Sequence, residues 1–350
     1  MFIAMNAQAE LVQLHSHEQA QRLYADKFFC PACRRPVRIK NGAVIPAHFA
    51  HIGPACAAAS EPESADHLAG KLWLAALGER LGYTVALEVY YPLIKQRADV
   101  VWVRSETTIV IEFQCSPLNA DRLKTRTDGY RRLGLRCVWV LGPRYQSRRP
   151  GKMQARFLQS QQAHDYYLWF SDGRRYLERW QWQPDEYRIT RYTGGSVQLR
   201  SSQLQRSRYH AAQLISNQLR HRDRRVLGLQ AQAYQHNRHL AGVPWLVHEA
   251  LTELPGLALP EWQLRTRWLL KFEGADVDYR REDAFWQAQV VAGLTPLVDA
   301  EALMQVVADH WRRQLLATGH LAATPTGWRW LRPVVWYPDI EHKLAAIAGE

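Results

Sequence analysis

The stretch RADVVWVRSETTIVIEFQCS, residues 97–116, constrains the fold more than any other part of the chain. Two runs of β-branched and aromatic residues, joined by a Ser-Glu-Thr turn, read as consecutive strands. Each carries one carboxylate where a core strand should stay apolar: Asp99 ahead of Val100, and Glu112 between Ile111 and Phe113. A buried carboxylate is costly unless it is paired or bound to a cation. Either both acids project from a sheet edge into solvent, or they share something positive. A hard divalent cation between the two strands would account for both. Glu112 and Gln114 lie two residues apart, so their side chains project to the same face.

The flanking pattern frames these strands. Leu68, Leu72, Ala75, Ala76 and Leu81 fall at helical spacing, with Ser64 as N-cap and Gly82 as the stop. His67 and Lys71 are four apart on one face of that helix, and Glu63 precedes them by the same step. YTVALEVYY reads as a strand ending at Pro92, and Leu118 to Leu133 returns to helical spacing through Leu123, Thr127 and Tyr130. RCVWVLG is wholly apolar, as in a strand covered on both faces. The order α-β-β-β-α-β makes this an α/β fold: a mixed sheet with helices packed against it.

Upstream, CPACRRPVRIKNGAVIPAHFAH spells C-x2-C-x14-H-x2-H from Cys30 to His51. Two thiolates and a returning pair supply the roughly four ligands of a tetrahedral Zn2+ site. Cys30, Cys33, His48 and His51 are the candidates, with Cys56 an alternative fourth ligand. Downstream, GPRYQSRRPGKMQ reads as a linker, and YYLWFSDGRRYLERW as a hairpin turning at Asp172-Gly173. Gln198 to His239 is helical and basic, and its Arg220, Arg222, Arg224 and Arg225 suit either phosphate contacts or a solvated helix face. Val243 to Glu350 is rich in Trp and Leu and reads as a compact helical domain. The expected divisions are an N-terminal segment 1–24, a zinc-finger-like segment 25–60, the α/β core 61–145, a linker and β-hairpin segment 146–195, and a basic, mainly helical domain 196–350.

Composition bounds the function. A chain of 350 residues that is 47% hydrophobic can build more than one core. Its net charge of +12, mostly arginine, suits a polyanionic partner such as nucleic acid. No apolar run approaches the ~20 residues of a membrane helix. The N-terminus lacks the regions of a secretory signal, and an odd cysteine count fits a reduced compartment, so a cytoplasmic protein is expected. Neither a glycine-rich phosphate loop nor a nucleophile elbow is present, which argues against an ATPase or a serine hydrolase.

The core order with Asp99 and then Glu112-x-Gln114 resembles the PD-(D/E)xK nuclease superfamily. More narrowly, CPxC…HFxH, S-x2-H-x3-K, R-x-D-V, I-E-F-Q-C-S, R-x3-Y and V-W-V-L-G, in that order over residues 25–145, resemble the competence protein CoiA family. The resemblance implies a metal-dependent DNA nuclease or DNA-processing factor of natural transformation and recombination. Its DNA would be single-stranded or processed duplex, and a recombinase of the RecA type a partner. Asp99 and Glu112 match metal-binding carboxylates for Mg2+ or Mn2+. Gln114 stands where the wider superfamily has a lysine and would position water. His67 and Lys71 match the helical motif that meets the scissile phosphate, and Arg126 and Tyr130 match a DNA-contacting helix. The other implied reading is an inactive DNA-binding recombination mediator that keeps the nuclease fold.

Overall fold

The computed structural model describes residues 1–53, 64–146, 150–162, 164–183, 186–193, 196–201, 208–248, 254–291 and 293–348. Glu63 and Cys56 therefore lie outside the described residues. The chain divides into two compact units, one formed by Met1–Ser160, Tyr166–Gln181 and Arg188–Arg200, the other by Gln161–Asp165, Trp182–Tyr187 and Ser201–Glu350.

The first unit opens with β1 (Ile3–Met5), β2 (Leu11–Gln13), α1 (His17–Arg22), β3 (Phe28–Phe29), β4 (Pro36–Lys40) and β5 (His48–His51). These strands form one sheet in the order β2-β1-β3-β4-β5, so the two N-terminal segments expected separately share a single sheet. Alternation along β4 buries Val37 and Ile39 against Phe28, Phe49 and Ala20.

The core follows: α2 (Ala65–Arg80), β6 (Thr84–Leu87), β7 (Tyr90–Tyr91), β8 (Gln96–Arg97), β9 (Val100–Arg104), β10 (Thr107–Gln114), α3 (Ala120–Arg132) and β11 (Arg136–Leu141). Both helices start at a side-chain cap, the first at the Ser64 expected from the sequence. Ser64 Oγ accepts from His67 N, and Asn119 Oδ1 accepts from Arg122 N. β9 and β10 are antiparallel, with Val100 opposite Ile111, whereas β11 runs parallel to β10, with Trp139 opposite Glu112. Leu68, Leu74 and Leu77 of α2 bury one face of the sheet with Ile111, Phe113, Val138 and Val140. Each such burial contributes about 1.5–3 kcal/mol. Two glycines set how closely α2 can lie: a Cβ on Gly70 would sit 1.9 Å from the Phe113 ring, and one on Gly78 would sit 2.4 Å from Trp102 Nε1. On the other face, α3 supplies Tyr130 against Ala98, Val101 and Val110.

The hairpin expected at Asp172-Gly173 forms, but as part of the core sheet rather than as a segment of its own. After the short α4 (Lys152–Ala155) come β12 (Gln159–Gln162), β13 (Asp165–Ser171), β14 (Tyr176–Gln183), β15 (Glu186–Thr193) and β16 (Ser196–Ser201). β13 pairs in parallel with β11, so these strands extend the core sheet, which among the described residues runs β16-β15-β14-β13-β11-β10-β9-β6 with β12 beside β13. The edge of β11 supplies the backbone partners that β13 takes up, with Val140 opposite Trp169.

The second unit is mainly helical: α5 (Arg208–Arg220), α6 (Arg224–Gln235), α7 (Glu261–Phe272), α8 (Tyr279–Gln287), α9 (Ala300–Ala317) and α10 (Ile340–Ala348). It also holds β17 (Val277–Asp278), β18 (Leu321–Thr324) and β19 (Gly327–Trp330), a small sheet in the order β17-β19-β18. Residues 198–201, expected to begin a helix, lie instead in β16. Among the described residues, no helix is long and apolar enough to cross a membrane.

Candidate functional site

Asp99 sits one step before β9, at the register position that faces Glu112 across the β9–β10 ladder. Both side chains are buried, Asp99 at 2% and Glu112 at 0% relative exposure, which removes the solvated-edge reading. The protein itself meets part of their charge. Asp99 Oδ2 lies 3.2 Å from His67 Nε2 and accepts from Phe113 N at 3.0 Å. Glu112 Oε1 accepts from Arg126 Nη2 and from Tyr130 Oη, each at 2.5 Å. Arg126 also donates to Arg97 O at 3.0 Å, which anchors the guanidinium between α3 and β8.

This geometry corrects the expected role of Arg126 and Tyr130. They are buried partners of Glu112 rather than a DNA-contacting surface, because a carboxylate inside the sheet needs a counter-charge and α3 delivers one. It also decides what removal of Glu112 would do: Arg126 would lose its buried counter-charge.

One oxygen stays unmatched. Glu112 Oε2 is buried and has no hydrogen-bond partner among the described residues. Burial lifts the Glu112 carboxyl above the usual glutamate range, more than Arg126 pulls it down, and the nearby Asp99 pushes it the same way. The charge of Glu112 in turn raises Arg126, which presupposes an ionised Glu112. Burial carries the net shift of Glu112, since Oε2 has no donor to offset it. Burial and Glu112 together push the Tyr130 phenol well above its ordinary value.

Lys71, one turn after His67 on α2, meets a third buried carboxylate. Its Nζ is buried and donates to Glu88 Oε1 at 2.5 Å. Glu88 Oε2 accepts from Phe2 N at 2.7 Å and Ile3 N at 3.1 Å, so Glu88 ties β1 to α2. Glu88 escaped the sequence reading, yet its signal was the same as that of Asp99 and Glu112: a carboxylate inside an apolar run, Ala86-Leu87-Glu88-Val89. Its backbone is left-handed at φ 53, where the strand breaks between β6 and β7. Gln114 is buried beside Glu112, and its Nε2 donates to Ser116 O at 2.7 Å, bracing the loop that follows β10.

Residues 63–215 match the family described as competence protein CoiA, nuclease-like domain, and residues 12–59 match competence protein CoiA, N-terminal domain. The chain belongs to the competence protein CoiA family. Competence protein CoiA of Bacillus subtilis (strain 168) is 36% identical over 126 residues, which cover 36% of this chain and 34% of that protein. The aligned part is thus about a third of that relative's length. No solved structure matches. The CoiA nuclease-like match holds every residue of the Asp99–Glu112 site, while most of the second unit lies beyond both matches.

The CoiA N-terminal match holds a second ligand cluster. Cys30, Cys33 and His51 bring their ligand atoms within 4.8 Å of one another, with Cys33 Sγ 3.3 Å from His51 Nε2. Donors at about 2.3 and 2.0 Å from one tetrahedral zinc would stand about 3.5 Å apart, so the set fits that ion. A tight turn makes the knuckle: Arg34 N donates to Cys30 O, with Arg34 left-handed at φ 60. His48 is not in the cluster. Residues 48 and 51 lie on one strand, where an odd separation sends side chains to opposite faces, and His48 Nδ1 meets Pro46 O at 2.8 Å instead.

The four arginines beyond the core do cluster. Arg220 ends α5, Arg222 takes a left-handed φ of 52 between the helices, and Arg224 and Arg225 open α6, all four exposed. Asp223 caps α6, and its bonds from Arg225 lower its carboxyl to about 2.

Proposed function

We propose that this CoiA-family chain is a DNA-processing protein of natural transformation and recombination whose first unit carries a divalent-metal nuclease centre of the PD-(D/E)xK type. The order β6-β9-β10-β11 between α2 and α3, with β10 and β11 parallel, is what such a centre requires. The observation that carries the reading is the buried, unpartnered Glu112 Oε2 beside a second buried carboxylate, a donor set that fits a hard cation.

Asp99 and Glu112 would hold Mg2+ or Mn2+, which would supply Lewis acidity toward a phosphoryl oxygen and a more acidic water. His67 holds Asp99 in place, and Arg126 with Tyr130 fixes Glu112 through Oε1 alone, leaving Oε2 for the ion. Gln114 contributes hydrogen bonding at the superfamily's lysine position without its charge. Cys30, Cys33 and His51 would hold a structural Zn2+ that closes the N-terminal knuckle.

A second reading has its own observation: Gln114 braces Ser116, and the buried Lys71 ammonium donates to Glu88. A chain so built would bind DNA and pass strands to a recombinase of the RecA type without cutting them.

One experiment separates these. The full chain is incubated with labelled single- and double-stranded DNA in Mn2+, Mg2+ or EDTA, alongside Asp99→Asn and Glu112→Gln, and its metal content is measured after purification without chelator. The nuclease reading expects metal-dependent cleavage that both substitutions abolish, and about one zinc per chain. Binding without cleavage in any metal removes the nuclease and keeps the mediator; no binding at all removes both. Protein without zinc removes the structural metal.

A further inference from the structure

We propose that Arg144, Arg174 and Arg175 form a phosphate-binding rim at the mouth of the Asp99–Glu112 site, which grips a nucleic-acid backbone. The inference rests on the DNA reading above and assigns the surface that would carry it.

The topology places them. β10, β11 and β13 run parallel, with Gln114 opposite Leu141 and Leu141 opposite Phe170, so their carboxyl ends share one edge of the sheet. Glu112 lies at that edge, and so does Asp99, because β9 runs the other way. In open α/β sheets a ligand lies in the crevice outside the carboxyl ends of the strands. The loop after β11 carries Arg144, and the hairpin after β13 carries Arg174 and Arg175.

The hairpin tip is held rigid. Asp172 Oδ1 accepts from the backbone N–H groups of Arg174 at 2.8 Å, Arg175 at 2.6 Å and Tyr176 at 3.3 Å. Gly173 is buried at φ 76, and a Cβ built on it would lie 3.5 Å from Asp66 O and 3.6 Å from Gly70 Cα. The tip therefore rests on the first turns of α2, where His67 stands between those two residues. Gln146 Nε2 donates to Tyr176 Oη at 2.7 Å and links the Arg144 loop to the same hairpin.

The charge is unspent. All three arginines are exposed, and among the described residues none forms an ion pair. The Asp172 carboxylate is occupied by backbone donors, and Asp66, exposed at the start of α2, makes no ion pair with them. Arg126, by contrast, is buried and bonded to Glu112 Oε1. Exposed guanidinium groups on a braced frame are suited to bidentate phosphate contact at little cost in conformational freedom.

The test measures binding of the full chain to a labelled single-stranded oligonucleotide in EDTA across a salt series. It compares wild type, Arg144→Ala/Arg174→Ala/Arg175→Ala, the same positions changed to Lys, and Arg104→Ala/Arg132→Ala/Arg136→Ala. The last variant removes equal charge from exposed sites at the other end of the strands. Three phosphate contacts predict that the rim Ala variant flattens the slope of log affinity against log salt by about two. The Lys variant should restore most of that slope, and the control should change it by much less. Equal effects from rim and control, or an unchanged rim variant, overturn the proposal while leaving DNA binding standing. A wild type that binds no DNA overturns the DNA reading and the rim with it.

Discussion

Two buried glutamates, one in each unit, are treated very differently. Glu282 opens α8 fully buried and is saturated. Its Oε1 accepts from Trp268 Nε1 at 3.0 Å and Trp286 Nε1 at 3.2 Å, and its Oε2 accepts from Trp328 Nε1 at 2.7 Å and Arg312 Nε at 2.9 Å. Glu112 is equally buried, but both of its donors converge on Oε1, and Oε2 is left unmatched. A saturated acid locks elements together: Glu282 joins α7, α8, α9 and β19 through one carboxylate. An acid with one unmatched oxygen gives up stability at that point, and such a concession belongs to a site that is completed by something else.

The largest expected effect breaks the saturated member. Glu282→Ala strands three indole N–H groups and leaves Arg312 only Asp283 and Asp309, and should cost about 3–5 kcal/mol of stability. Denaturant unfolding followed by Trp fluorescence reads it directly. A loss under about 1 kcal/mol would mean that the network is ornamental and the contrast with Glu112 is void.

The middle effect concerns Glu112. Glu112→Gln leaves Arg126 without its counter-charge and should cost about 1–3 kcal/mol. The pH dependence sharpens the comparison. A carboxyl raised above its unfolded value of 4.5 holds its proton longer in the folded chain. Its stabilisation is therefore complete below 4.5 and is lost as pH rises through the higher folded value. Wild type should thus lose stability relative to Glu112→Gln as pH climbs from 4.5. A gap that moves the other way would show that the Arg126 ion pair outweighs burial.

The smallest effect tests a buried base with a weaker partnership. Lys343 of α10 is buried, its Nζ lies 2.7 Å from His248 Nε2 and 4.5 Å from the Trp245 ring centre, and desolvation lowers it from 10.5 to about 7. The folded chain then binds fewer protons than the unfolded one between about 7 and 10.5, so stability rises with pH across that window. Lys343→Met should be more stable than wild type by about 1–2 kcal/mol at pH 7, with the gap closing toward pH 10.5. A constant gap would mean that Lys343 keeps its proton throughout.

Much of the first unit was legible in the residues. Ser64 announced α2 through cap chemistry, helical spacing from Leu118 to Leu133 placed α3, and runs of β-branched, aromatic and apolar residues placed β9, β10 and β11. The two interrupted strands marked Asp99 and Glu112. The same reasoning failed where partners are distant in sequence. Arg126 and Tyr130 looked like surface contacts because nothing local reports that α3 turns them toward β10. Lys71 looked available because Glu88 lies on another element. His48 looked equivalent to His51 because the C-x2-C…H-x2-H spacing does not say whether the last pair sits on a helix or on a strand.

By itself, the sequence determined the element types, the order of the α/β core, the family, and which acids had to be accounted for. These follow from local propensity, capping and the cost of burying a charge, and all of them act within a few residues. Only the tertiary structure decided which cation each acid receives, that β13 extends the core sheet in parallel, and that the two arginine-bearing loops meet at one edge. Those outcomes depend on which surfaces come into contact once the chain has collapsed, and a buried charge takes whichever counter-charge the packing delivers.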